Sequence, residues 1–124
     1  MRTVIITTVI LVLAALSTPQ SPAKELVAIK VRGYYFAAPA TVPMVVAVEP
    51  AARNRMLVVE ADSDDYFRSS AIELEGENEK RLHTVEFRSL PAGTYEIRAR
   101  VMSKNEVLGT AVEGFVVTGI GPER

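Results

Sequence analysis

Leu90-Pro91-Ala92-Gly93-Thr94-Tyr95-Glu96-Ile97-Arg98-Ala99-Arg100-Val101 sets the reading of the whole chain. From Thr94 onward the residues alternate. Tyr95, Ile97, Ala99 and Val101 fall on one side; Thr94, Glu96, Arg98 and Arg100 fall on the other. Side chains alternate across a strand with period two, so this is a half-buried strand. A slip of one residue would carry two arginines and a glutamate into the core, so its register is firmly set. Leu90 to Gly93 is a tight corner in front of it.

The same rhythm runs outward in both directions. Val27, Ile29 and Val31 alternate with Ala28, Lys30 and Arg32. Val42 to Val48 is apolar on both sides, which predicts a central strand. Met56 to Val59 repeats that character, and Tyr66 to Leu74 is mixed. His83, Val85 and Phe87 alternate with Leu82, Thr84 and Glu86, and a last strand runs from about Leu108 to Val117. The stretch from Ala37 to Ala40 contains Pro39 and cannot be a central strand. Polar or Gly-containing turns separate the runs. This predicts an all-β fold, an antiparallel sandwich of about seven strands over residues 24–124.

The chain begins differently. Met1-Arg2 carries one positive charge, and Thr3 to Leu16 carries none. That is the order of a secretory signal peptide, expected over residues 1–23. Small residues allow cleavage after Ser17 or after Ala23; the strand pattern beyond favours Ala23. A retained membrane anchor would need about 20 apolar residues. This run is shorter, and Pro19 and Pro22 end it, so no stable membrane insertion is expected once the signal is cut. There is no Cys, which removes disulfides and thiolate chemistry. Small exported eukaryotic domains commonly use disulfides, so a bacterial periplasmic or secreted protein is the expectation. The 124 residues carry 14 basic and 15 acidic side chains, net −1, which gives no general attraction for nucleic acid.

The corner carries a resemblance. A Leu, then Pro and Gly, then a Tyr opening the next strand resembles the corner of immunoglobulin-like and fibronectin type III sandwiches. Leu90, Gly93 and Tyr95 hold those places here. The resemblance implies a Tyr95 hydroxyl bonded back to nearby backbone. The chain lacks the Cys pair and core Trp of antibody domains, so a bacterial immunoglobulin-like or fibronectin-like module fits better. Such a fold does not fix function.

The candidate chemistry is sparse. His83 is the one imidazole, on an apolar face, and no Gly-x-Ser-x-Gly motif accompanies it, so it is expected to be structural and the protein not an enzyme. Asp62, Asp64 and Asp65 could supply part of a Ca²⁺ shell but lack the Gly and Glu of an EF-hand loop. No other cofactor is expected. Glu73, Glu75, Glu77 and Glu79 are expected to form an outward acidic face. Lys30, Arg32, Arg98 and Arg100, with Glu96 among them, are expected to share a solvated sheet face.

Tyr34-Tyr35 and Tyr66-Phe67 are consecutive aromatics, so one ring of each pair should be exposed and available for binding. The expected function is an exported, non-enzymatic binding or structural module of the envelope, with a protein partner engaged through a sheet edge or an aromatic patch. The alternative is a carbohydrate- or Ca²⁺-binding module.

Overall fold

The computed structural model describes residues 26–119. The expected signal segment 1–23, with both cleavage points, lies outside the described residues. Eight strands follow in order: β1 (Val27–Val31), β2 (Tyr35–Ala37), β3 (Ala40–Val48), β4 (Met56–Asp62), β5 (Phe67–Glu73), β6 (Leu82–Leu90), β7 (Gly93–Ser103) and β8 (Glu106–Thr118). A 3-10 turn at Gly76–Asn78 is the remaining regular element among them. The fold is all-β, as expected.

The strands form two sheets. The smaller has the order β1-β3-β6, and the larger β2-β8-β7-β4-β5. Their facing sides supply the core: Val42, Met44, Val46 and Phe87 from the smaller, Leu57, Val59, Ile97 and Val101 from the larger, all fully buried or nearly so. Strand β7 has the expected register. Tyr95, Ile97, Ala99 and Val101 are buried, and the alternate residues are exposed or half-buried.

Two expectations are corrected. The strand missed by periodicity is β2. It has three residues and pairs in parallel with the end of β8, Tyr35 opposite Val116, so the sandwich is not wholly antiparallel. Three residues followed by Pro39 hold too few alternations to read as a strand. The chain leaves the smaller sheet after β1 and joins the larger one at β2, turning through Gly33 at φ 127°, a backbone conformation that favours glycine.

The second correction concerns β3. It is central, as expected, but its Val45 and Ala47 point outward from the sandwich and are half-buried. Only the inner face of the three-stranded sheet is covered by the larger sheet, so apolar composition here does not mean double burial. Pro43 sits mid-strand without breaking the ladder. Its carbonyl accepts from Arg32 N–H at 3.3 Å, so its ring nitrogen also faces β1, where that strand has ended.

Candidate functional site

The Tyr95 corner anchors the larger sheet. Tyr95 Oη donates to the Pro91 carbonyl at 2.7 Å. Its ring stacks on Phe115 at 5.1 Å between centroids, and Phe36 meets Phe115 edge-on at 5.6 Å. Leu90 is fully buried beneath the turn, and Gly93 opens β7. Burial raises the Tyr95 phenol above its ordinary value; the Ser63 hydroxyl and Arg68 oppose that shift, and Tyr66 adds to it.

The aromatic pairs do not converge. Tyr34 and Tyr35 are both exposed, at 53% and 72%, and meet edge-on at 4.8 Å. Phe67 is exposed, while Tyr66 is half-buried with its hydroxyl accepting from Arg68 Nε at 3.1 Å. The first pair lies at β2 and the second beside β5, the two ends of one sheet. Four strand spacings separate them, about 19 Å. They are two surfaces, not one patch.

Asp62 ends β4, and Asp64 and Asp65 are exposed in the turn that follows. Ser63 N–H closes that turn on the Tyr66 carbonyl at 2.9 Å. Among the described residues no three His, Asp or Glu side chains are grouped to hold a metal ion. His83 is buried on the inward face of β6, opposite Val46, and its Nε2 has no hydrogen-bond partner among those residues.

The basic residues expected to share a face are divided between the two. Lys30 and Arg32 lie on the outward side of the smaller sheet. Arg98 and Arg100 lie on the outward side of the larger, where Arg100 Nη2 bonds Glu60 at 2.7 Å and Arg98 Nη2 bonds Glu96 at 3.1 Å.

One open stretch of sheet edge is a surface that side-chain reasoning passed over; the outer sides of β5 and β6 are likewise unpaired among the described residues. Strand β2 covers only residues 116–118 of β8. Val116 N–H donates to the Tyr34 carbonyl at 2.8 Å, and the Thr118 carbonyl accepts from Ala38 N–H at 2.9 Å. Backbone groups alternate sides along a strand, so Thr110, Val112 and Gly114 turn theirs the same way, beyond the end of β2. Among the described residues no strand pairs with them there.

On the smaller sheet, Leu26 and Arg32 bond toward β3, which leaves the N–H and C=O of Val27, Ile29 and Val31 facing away from it. These two open edges flank a cleft of about 340 Å³, lined by residues 26–29 and 110–113. Glu113 stands there on the inward side of β8, opposite the buried Ile97, and is exposed because the sandwich is open at that point. The sequence signal was the run Gly109-Thr110-Ala111-Val112-Glu113-Gly114, small or charged at its inward positions and free of the Lys or Pro that commonly blunt an edge.

No family model matches the chain, and no curated protein matches it. The solved structures do offer neighbours. The crystal structure of the CARDB domain of the PF1109 protein from Pyrococcus furiosus, in complex with di-metal ions, superposes with a TM-score of 0.51 at 17% identity. The match covers 83% of this chain and all of that one. The solution NMR structure of the same domain gives 0.50 at 18% identity, over 74% of this chain and 92% of that one. At such identities the likeness establishes the fold alone, and that fold is an immunoglobulin-like β-sandwich.

Proposed function

We propose that this protein is an exported, non-enzymatic β-sandwich that serves as a protein-binding or structural module of a bacterial envelope, engaging an extended partner strand along the open half of β8. The observation that carries this reading is the row of backbone groups at Thr110, Val112 and Gly114 that no strand pairs with among the described residues. An added strand satisfies such groups directly, and side-chain pockets then select among partners. Export rests on the charge and hydropathy order of residues 1–23. The non-enzymatic reading is supported by His83, which is buried on the core side.

Val112→Pro tests the edge. The N–H it removes points away from β7, so the fold should keep its thermal midpoint within a few degrees. A partner captured from the native envelope fraction should be lost, and Val112→Thr should still capture it. Retention of that partner by the proline variant overturns the edge reading. N-terminal sequencing of the protein recovered from the periplasm should begin at Thr18 or Lys24.

A second reading has its own observation. Asp62, Asp64 and Asp65 form no ion pair among the described residues, beside the exposed Phe67. A carbohydrate- or Ca²⁺-binding module would use that corner, and calorimetry with Ca²⁺ and a glycan panel decides it. Absence of heat and of thermal shift removes it.

A further inference from the structure

Two outward surfaces on opposite sides of the sandwich carry complementary free charges. On the smaller sheet, Ala28, Ala47 and Leu82 stand side by side in one cross-strand row, and Lys30 lies beside Val45 in the next. Arg32 follows against Pro43. Together they line a groove of about 620 Å³, with Leu82 exposed at 60%. Lys30 and Arg32 pair with no carboxylate among the described residues. The acids at the groove's rim, Glu49 and Glu86, are already bonded to Arg81 and Arg88.

The larger sheet carries the converse. Phe67 projects outward at 56% exposure, directly opposite Asp62 across the β4–β5 pair, with Asp64 and Asp65 in the adjoining turn. The neighbouring cations are occupied. Arg98 and Arg100 bond Glu96 and Glu60, and Arg68 turns to the Tyr66 hydroxyl and the Arg88 carbonyl. On each surface an apolar point lies beside free charges: Ala28 is two residues from Lys30 along β1, about 7 Å, and Phe67 is directly opposite Asp62.

We infer that a second copy of this chain docks there: Phe67 of one copy enters the groove beside Ala47 and Leu82 of the next, and its turn aspartates meet Lys30 and Arg32. The two surfaces differ and lie on opposite faces, so the contact is head-to-tail and does not close on itself as a two-fold dimer would. It extends into a row of copies. Desolvated aromatic insertion supplies the attraction, and the charge pairs fix orientation and suppress the reverse order. The contact is independent of the open β8 edge.

Sedimentation velocity on the purified protein tests it. At low salt the average mass should climb with concentration past twice the monomer value, and it should fall back at high salt as the charges are screened. The double variants Lys30→Glu/Arg32→Glu and Asp64→Lys/Asp65→Lys should each remain monomeric with an unchanged circular-dichroism spectrum. Mixed with wild type, each should cap the rows and shorten them. Val112→Pro should leave the association intact, which separates this contact from the β8 edge. A wild-type protein that stays monomeric at low salt overturns the inference. So does association that persists in either charge variant.

Discussion

The two halves of β8 share one strand and one inward-facing register, yet they are built differently. At its end Phe115 and Val117 are buried, and β2 covers the strand's outer edge. Toward its start the inward positions hold Glu113, Ala111 and Gly109, and no strand among the described residues pairs with the outer edge. Large apolar side chains stand where the sandwich is closed, and small or charged ones where it opens. A strand half that contributes little to the core can be altered, or paired with a partner, at little cost to stability. An inward-facing charge such as Glu113 also discourages indiscriminate edge pairing.

Substitutions can break or sharpen this contrast. The largest effect is expected at Phe115→Ala, which removes a ring packed between Tyr95 and Phe36. It should cost about 3–5 kcal/mol in urea unfolding. A loss below 1 kcal/mol would mean the closed half is no better packed than the open one. Next comes Ala111→Pro. Ala111 turns its N–H toward β7, so proline leaves a ladder acceptor unpaired and should cost about 1–3 kcal/mol. The adjacent Val112→Pro should cost far less, and equal losses would mean the assigned edge direction is wrong.

Tyr95→Phe should cost about 1 kcal/mol near neutral pH through the lost bond to Pro91. Because burial raises the Tyr95 phenol, the unfolded chain releases that proton at lower pH than the folded one. The resulting stability is complete below about pH 10 and is lost as pH climbs through the folded value. The gap between wild type and Tyr95→Phe should therefore narrow in alkali; a constant gap would count against burial of the phenol. The smallest effect is Val112→Ala, within about 0.5 kcal/mol, since its side chain is half exposed on the open edge.

How much of this was legible depended on range. Strand β7 could be read from residues 94–101 because its alternation is local and one register alone keeps Arg98 and Arg100 out of the core. The Leu90–Tyr95 corner was legible for the same reason. Strand β2 was not, because its pairing depends on where the last residues of β8 arrive from some eighty positions away. The outward placement of Val45 and Ala47 was hidden too. An apolar residue reads alike whether its face meets a second sheet or water. That Tyr34 and Phe67 stand a sheet's width apart was hidden as well, because a local pattern does not carry strand order. The β8 edge is defined by backbone groups, to which side-chain patterns are nearly blind.

The crossover at Gly33 has a mechanical meaning. Strands β1 and β2 both run alongside β8 in its own direction, Leu26 packing against Gly109 and Tyr35 pairing with Val116. The described residues therefore begin at one pole and end at the other. Tension between Leu26 and Gly119 would load the β1–β3 ladder and pull β2 lengthwise against β8, so the Tyr34–Val116 and Ala38–Thr118 bonds bear load together in shear instead of unzipping one at a time.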